Sequence, residues 1–246
     1  MKINVLASGS AGNSYLLAND NGGDQIMIEC GLSPKNLKKL LWDKEVYLSD
    51  INACLISHKH QDHSAAASYL ANSTVAVCMS EHTADSIQDL RRDKLVILKP
   101  QKAYELGNWL FKPFESSHDD VPTLGFLLFH KPTGERVFYS TDTAYIRYKP
   151  QNIHYFMVEV NYQQKYLEET IEEEDMNRHN MRRVLKSHLA LETALEFFEK
   201  VDTSEAKEIY VLHLSKRNAN PDEVKQRIQE VTGVPIYIGG VKDAAN

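Results

Sequence analysis

Short apolar runs and alternating apolar–polar segments, separated by turn residues, fill the first two thirds of the chain. Segments of this length and alternation predict β-strands rather than helices. The predicted strands are 2–6, 14–17, 25–29, 53–57, 75–78, 95–98, 110–114, 124–130, 137–140, 155–160, 208–212 and 235–238.

Apolar positions recur with helical spacing in four other segments, 34–41, 64–70, 192–200 and 221–231. The last has clear boundary signals, because Asn220 can cap it, Pro221 fits its first turn and Gly233 follows its end. Strands thus dominate the start and middle of the chain, with helices interspersed. We find no linker, tandem repeat or low-complexity tract, and 246 residues predict one domain over residues 1–246.

One charge run interrupts this pattern. Residues 168–175 are mostly acidic, and the basic residues that follow are Arg178, His179, Arg182, Arg183 and Lys186. One interpretation is a solvated helix whose acidic start and basic end are favoured by the helix dipole. The other is that its basic half faces a phosphate-bearing substrate.

Composition and charge limit the possible partners. Charged residues make up 25% and apolar residues 42%, as in an ordinary soluble domain. The net charge of −6 gives no global attraction to nucleic acid or to an anionic membrane. A polyanionic substrate would therefore need a local basic patch or bound metal ions.

The cysteines and the N-terminus indicate the compartment. Cys30, Cys54 and Cys78 form no CxxC pair, which favours a reducing compartment and buried thiols. The N-terminus reaches a Ser/Gly loop too early for a signal peptide, and no apolar stretch approaches the ~18 residues that span a bilayer. We therefore expect a cytoplasmic protein.

The segment His58-Lys59-His60-Gln61-Asp62-His63 carries the strongest chemical signal. It follows an apolar run, and on an extended segment His58 and His60 point to the same side. Three imidazoles and a carboxylate within six positions suit zinc, iron or manganese. A solvated histidine-rich loop is the alternative.

Three later residues could complete a metal site. His118, Asp142 and His213 each come just after a predicted strand. The segment 58–63 alone has too few ligands for two metal ions, so distant ligands of this kind would be needed to bind a second ion.

The chain resembles the metallo-β-lactamase fold superfamily, whose HxHxDH motif is matched by His58, His60, Asp62 and His63. The family's later His, Asp and His are matched in order by His118, Asp142 and His213. The resemblance implies an α/β fold, a four-layer αββα sandwich. It also implies two divalent metal ions (Zn, Mn or Fe), one bound by His58, His60 and His118 and the other by Asp62, His63 and His213, with Asp142 bridging them.

The resemblance implies a mechanism as well. Two ions about 3.5–4 Å apart hold a shared hydroxide and clamp both oxygens of an in-line displacement. Asp62 would orient or deprotonate the attacking water. Asp142 stands where the lactam-hydrolysing branch usually has Cys, which disfavours β-lactam hydrolysis and favours phosphodiesters.

The segment 6–14, Leu-Ala-Ser-Gly-Ser-Ala-Gly-Asn-Ser, resembles the SGSxGN signature of the WalJ (YycJ)-like branch, which is described as DNA exonucleases. Ser8, Ser10 and Asn13 are therefore candidate substrate contacts. The alternative is a hairpin turn composed of ordinary turn residues.

Glu159 and His188 resemble a carboxylate and a non-ligand histidine of WalJ-like proteins and tRNase Z. In those nucleases the pair is thought to protonate the leaving oxygen, a role that suits histidine at neutral pH. The alternatives are a helix cap for His188 and an exposed strand-end charge for Glu159.

The sequence departs from these relatives in two ways. Glu29 replaces the usual Asp that supports the metal ligands, which can move the carboxylate or change the preferred ion. His118 and Asp142 are only 24 positions apart, so the tRNA-gripping arm of tRNase Z does not fit between them.

These features predict a metal-dependent phosphodiesterase that uses nucleic acid, and the resemblance to the WalJ-like branch implies a DNA exonuclease. Ser215, Lys216 and Asn218, after the last metal histidine, are further candidate substrate contacts. The alternatives are a hydrolase of a small phosphodiester or cyclic nucleotide, an RNA-processing nuclease, and an inactive metal-binding scaffold.

Overall fold

The computed structural model describes residues 1–19, 24–118, 121–174 and 184–240, and the side chains of these ranges apart from 117, 118, 121 and 171–174. The chain divides into two compact units. The first comprises residues 1–114 and 128–135, and the second comprises 115–127 and the residues from 136 onward. The single domain over residues 1–246 stays a prediction.

The first sheet has six strands in sequence order: β1 (Lys2–Ala7), β2 (Ser14–Ala18), β3 (Gln25–Ile28), β4 (Ile51–Leu55), β5 (Ala76–Met79) and β6 (Leu95–Ile97). β1, β2 and β3 pair antiparallel, whereas β3, β4, β5 and β6 pair parallel. The parallel register places the carboxyl ends of β3 and β4 at the same edge of the sheet. Side chains that follow these strands are thereby brought together.

Four helices accompany the first sheet: α1 (Pro34–Trp42), α2 (Gln61–Ser64), α3 (Ala67–Ala71) and α4 (Glu81–Ser86). The side chain of Ser33 caps α1, and Pro34 occupies its first turn. Leu37 and Leu41 of α1 pack into a core with apolar residues of β3 to β5 and of α3. Burial of this apolar face holds α1 against the sheet.

The second sheet has the order β13-β12-β11-β10-β9-β8-β7. Its strands are β7 (Tyr104–Leu106), β8 (Trp109–His118), β9 (Val121–His130), β10 (Glu135–Ser140), β11 (Tyr155–Glu159), β12 (Glu208–Leu212) and β13 (Ile236–Ile238). The strands from β10 to β13 are parallel. The accompanying helices are α5 (Gln164–Glu174), α6 (Leu191–Lys200) and α7 (Pro221–Thr232).

All twelve predicted strands have a counterpart, with shifts of a few residues at their ends. β7 was missed because three residues give too short a pattern, and α4 was missed as well. The predicted helix 64–70 is wrong as one element. The chain breaks at Ala66, whose N–H donates to the carbonyl of Cys30 at 2.9 Å, and α2 and α3 lie on either side.

The charge run divides between described and undescribed residues. α5 covers its acidic part, with Glu168 and Glu169 exposed to solvent. Arg178, His179, Arg182 and Arg183 lie outside the described residues, whereas Lys186 is exposed.

The three cysteines are free and buried, which confirms the prediction of buried thiols. Burial raises the pKa of the Cys54 and Cys78 thiols, and at Cys54 the neighbouring Cys30 adds to the effect. Thiols with raised pKa remain un-ionised and behave as small apolar side chains. Within the described ranges, no helix has the length and apolarity that crossing a membrane requires.

Candidate active site

The first cluster of candidate ligands follows β4 in the first unit. His58 is buried, and its Nδ1 lies 2.9 Å from Oγ of Ser57. Its Nε2 lies 2.9 Å from Nδ1 of His60, with the ring centroids 4.6 Å apart. The ring of His63 lies 4.3 Å from that of His58. The structure therefore brings these three histidines together.

Asp62 and His63 belong to α2, which begins after His60. Nε2 of His63 lies 3.4 Å from Oδ2 of Asp62, and Nδ1 lies 3.5 Å from Oε1 of Glu29. Glu29 is fully buried and accepts hydrogen bonds from the N–H of Ser57 at 3.3 Å to both carboxylate oxygens. The longer side chain that replaces the usual Asp thus reaches the backbone before His58 and the ring of His63.

Three chain segments are joined at this cluster by backbone hydrogen bonds. The N–H of Asn13 donates to the carbonyl of Asp62 at 2.7 Å, and the N–H of Cys30 donates to that of His63 at 2.8 Å. The N–H of Gly31 donates to the carbonyl of Asn13 at 2.8 Å. Gly31 is needed here for close approach, because a Cβ at this position would overlap the carbonyl group of Asp62.

We predict that Gly31→Ala lowers the free energy of unfolding by about 2–4 kcal/mol, because backbone rather than a flexible side chain must move. Gly134→Ala is the control, since a Cβ there meets nothing within 4 Å but the residue has φ of +71°. The free energy of unfolding of that variant should fall by only about 1–2 kcal/mol, because alanine is disfavoured in the left-handed conformation. Urea unfolding of both variants measures the difference, and equal losses would contradict the close-approach explanation.

The structure alters the interpretation of Asn13, which the sequence predicted as a substrate contact. Its side chain is fully buried, and Nδ2 lies 3.2 Å from both the carbonyl of Asp62 and Nε2 of His63. Substrate contact by Asn13 stays a prediction, and in this structure its buried side chain contacts the loop that carries Asp62 and His63. Of the other two candidates, Ser8 Oγ lies 3.2 Å from the Tyr15 hydroxyl, and Ser10 is exposed.

A second cluster lies at the carboxyl ends of three adjacent parallel strands in the second unit. Asp142 follows β10, Glu159 ends β11 and His213 follows β12. With His188, each offers one ligand atom, and the four atoms lie within 4.8 Å of one another. Parallel strands concentrate side chains at this edge, which explains how residues distant in sequence meet.

Glu159 organises this second cluster. It is fully buried, and its Oε1 lies 2.6 Å from Nδ1 of His188 and 3.7 Å from Nδ1 of His213. Its Oε2 accepts the N–H of Thr143 at 3.2 Å. Nδ1 of His188 also lies 3.9 Å from Oδ1 of Asp142. A buried carboxylate needs such partners, so Glu159 is not the exposed strand-end charge that the sequence left open.

Three residues of the two clusters have left-handed backbone conformations. φ is +59° at Glu29, +47° at Asp142 and +53° at His213. For a residue other than glycine, this left-handed conformation has a free energy roughly 1–2 kcal/mol higher than the right-handed one. Such strain immediately after strands is typical of functional sites.

Asn161 was not selected from the sequence, although it supports the second cluster. Its Nδ2 lies 3.0 Å from Nδ1 of His213 and donates to the carbonyl of His213 at 2.9 Å. Its position just after β11 is the signal that could have identified it.

Next to Asn161 in the chain, burial and the carboxylates of Glu192 and Glu159 raise the pKa of Tyr162, which stays neutral.

The residues after His213 form a turn. Oγ of Ser215 accepts the N–H of Asn218 at 3.2 Å, and Oδ1 of Asn218 accepts the Thr170 hydroxyl at 3.0 Å. Lys216 is exposed. Ser215 and Asn218 therefore shape the turn that presents Lys216 to solvent. His118 ends β8, but its side chain lies outside the described part of the structure.

The donor sets of both clusters fit divalent metal ions. In the first, imidazoles that include the buried rings of His58 and His63 approach one another closely. In the second, the buried carboxylates of Asp142 and Glu159 converge with two imidazoles. Imidazole and carboxylate are the ligands that zinc, iron and manganese accept in proteins.

Solved structures with the same fold cover nearly the whole chain. The metallo-β-lactamase fold protein YhfI from Bacillus subtilis has a TM-score of 0.71 and 17% identity, covering 97% of each chain. Human tRNase Z, short form, has a TM-score of 0.66 and 12% identity, covering 98% of this chain and 96% of its own. A diphosphatase from the PhnP family has a TM-score of 0.64 and 15% identity, covering 97% of this chain and 94% of its own. The protein therefore has the metallo-β-lactamase fold, which confirms the predicted α/β class.

Residues 25–214 match the model of the β-lactamase superfamily domain, and the chain belongs to this family. The exodeoxyribonuclease YycJ of Bacillus anthracis is 26% identical over 245 residues, which are 94% of this chain and 89% of that protein. The exodeoxyribonuclease WalJ of Streptococcus pneumoniae is 27% identical over 253 residues, which cover 96% of this chain and 91% of that protein. The chain is an enzyme of the metal-dependent hydrolase class.

Proposed function

We propose that this hydrolase is a dinuclear-metal-dependent phosphodiesterase that acts on DNA as an exonuclease. The observation that carries the proposal is the pair formed by the buried Glu159 and the partly exposed His188 beside Asp142, with 2.6 Å between Oε1 and Nδ1. A histidine held by a carboxylate is a proton donor, and an alkoxide leaving from a phosphodiester needs a proton. Asp142 stands where the lactam-hydrolysing branch of the family usually has Cys, which favours a phosphodiester over a β-lactam as substrate.

The proposed ligand assignment follows the family order along the chain. His58, His60 and His118 would hold one ion, Asp62, His63 and His213 the other, and Asp142 would contact both. Divalent ions in such a site activate water and neutralise the charge of the phosphate. The number of ions and their identity as zinc, manganese or iron belong to this proposal.

The chain's own residues then have distinct tasks. Asp62, with a side chain 26% exposed, orients the attacking water and accepts its proton. His188, with a side chain 17% exposed, can reach a bound phosphodiester and donate its proton to the leaving oxygen. Glu159 is fully buried and acts through His188 as a positioning residue.

DNA as substrate is supported by the two curated relatives, whose names describe exodeoxyribonucleases. Both relatives match nearly the whole chain. Lys216 and Lys186 are exposed and available to contact phosphates. Free buried cysteines fit a reducing compartment, and we place the enzyme in the cytoplasm.

A small phosphodiester is the second candidate substrate, favoured by the net charge of −6. The salt dependence of KM separates the two. Binding to a polynucleotide through several phosphate contacts should weaken steeply with salt, by a log–log slope of roughly one per contact. A small substrate should show a nearly flat response.

We predict that chelation removes the activity and that added Mn²⁺ or Zn²⁺ restores it. The measurement is hydrolysis of bis(p-nitrophenyl) phosphate by the wild-type protein before chelation, after dialysis against EDTA, and after metal addition. Metal analysis on the same samples should give two ions per chain in the active state. Activity that persists in the metal-free sample would contradict the proposal.

A further inference from the structure

One face of α1 is basic and exposed. Lys35, Lys38, Lys39 and Trp42 occupy positions i, i+3, i+4 and i+7, which lie on one side of a helix, and all four are exposed. The opposite side carries the buried Leu37. The first turn of α1 contains no acidic residue, and Asp43 follows only at the C-terminal end, so like charges adjoin along most of this face. Neighbouring like charges destabilise the helix slightly, and these exposed side chains add no packing to the hydrophobic core.

Trp42 ends this face as an exposed aromatic side chain. It is 71% exposed, whereas Trp109 is fully buried. Tyr47 is 58% exposed and lies edge-to-face with Trp42, with ring centroids 6.3 Å apart. The N–H of Glu45 donates to the carbonyl of Trp42 at 2.9 Å, which fixes the turn between the two rings. Large exposed apolar groups in a fixed arrangement indicate a binding surface.

The helix connects this surface to the first ligand cluster. Gly31, packed against the carbonyl group of Asp62, lies two residues before the cap Ser33. α1 has nine residues and is therefore about 13 Å long. At about 3.4 Å per stacked nucleotide, this length corresponds to roughly four nucleotides.

We propose that this α1 face, formed by Lys35, Lys38, Lys39 and Trp42 together with Tyr47, binds a single-stranded segment of the polynucleotide substrate. The lysines would contact phosphates, and the aromatic rings would stack on bases. Single strands are specified because bases in an intact duplex do not offer their faces for stacking. The inference rests on the proposed function, since it names the form of nucleic acid that reaches the site.

Charge supports this occupant over an apolar protein surface. The chain as a whole has a net charge of −6, so a strand needs a local positive path. Nζ of Lys38 lies 4.8 Å from the ring centroid of Tyr69, which holds that ammonium group on the face. The acidic residues Asp43 and Glu45 come after Trp42, at the C-terminal end of α1. The lysines therefore lie towards the N-terminal end of α1, which follows Gly31 and the first ligand cluster.

The test is binding of a 12-residue oligothymidylate to the intact protein in EDTA, where hydrolysis does not interfere. Trp109 is buried, so quenching of tryptophan fluorescence on binding reports Trp42. In an anisotropy assay with labelled oligonucleotide, Trp42→Ala should raise Kd about fivefold or more. Exchange of Lys38 and Lys39 for Gln should lower the magnitude of the log–log salt slope by about 1.4, or about 0.7 per lost phosphate contact with a single strand. The matched control is Val231→Ala, which alters an exposed apolar residue of α7 and should bind as the wild type does.

Unchanged affinity of Trp42→Ala would overturn the inference, as would oligonucleotide binding without quenching. Equal competition by a blunt 12-base-pair duplex would also overturn it. The proposed function is tested separately by wild-type hydrolysis of bis(p-nitrophenyl) phosphate. If the wild type hydrolyses this substrate while Trp42→Ala binds normally, the inference alone fails.

Discussion

Asp62→Asn is expected to lower kcat by about 10³-fold, because the variant loses the carboxylate proposed to hold a metal ion and to accept the proton of water. The fold around it should survive, since the backbone carbonyl of residue 62, which accepts the N–H of Asn13 at 2.7 Å, is kept in the variant. The replacement keeps the size of the side chain and removes its charge. The measurement is the rate of bis(p-nitrophenyl) phosphate hydrolysis with saturating Mn²⁺.

Asp89→Asn is the matched control for this prediction. Asp89 is exposed in the first unit with φ of +54°, a conformation that asparagine tolerates. It should keep wild-type kcat and wild-type stability. Activity of Asp62→Asn within about tenfold of the control would exclude a central role for the carboxylate.

His188→Ala is expected to have a large effect that depends on the leaving group. With DNA, whose leaving alkoxide needs a proton, kcat should fall about 100-fold or more. With bis(p-nitrophenyl) phosphate, whose leaving p-nitrophenolate is stable without one, kcat should change less than about threefold. The ratio of the two rates is therefore the diagnostic quantity.

If Glu159 acts through His188 as proposed, Glu159→Gln added to His188→Ala should lower kcat on DNA little further. His82→Ala is the control, because His82 is an exposed histidine of α4. Equal losses on both substrates for His188→Ala would indicate a structural role, with the histidine supporting the cluster rather than donating a proton.

The candidate ligands of the second cluster could be located from the sequence because they follow strands. The strand before His58 and the strands before Asp142 and His213 were visible as short apolar runs, and the family order supplied the rest. The parallel pairing of β10, β11 and β12 explains why Asp142, Glu159 and His213 meet.

The supporting contacts could not be predicted, because they join residues far apart in sequence. Asn13 was assigned to the substrate as part of a Ser/Gly loop, yet it is buried against Asp62, 49 positions away. Asn161 contacts His213 from 52 positions away. Periodicity describes single elements, whereas these contacts depend on how the elements pack. The break between α2 and α3 has the same origin, since the Cys30 carbonyl accepts the N–H of Ala66.

Digestion of end-labelled linear double-stranded DNA in the presence of Mn²⁺ tests the central claim most directly. The account predicts progressive shortening by the wild type and by Asp89→Asn, with no shortening by Asp62→Asn. If this DNA and a heat-denatured sample of it both stay intact while the same wild-type preparation hydrolyses bis(p-nitrophenyl) phosphate, the exonuclease proposal is contradicted and a small phosphodiester is indicated as substrate.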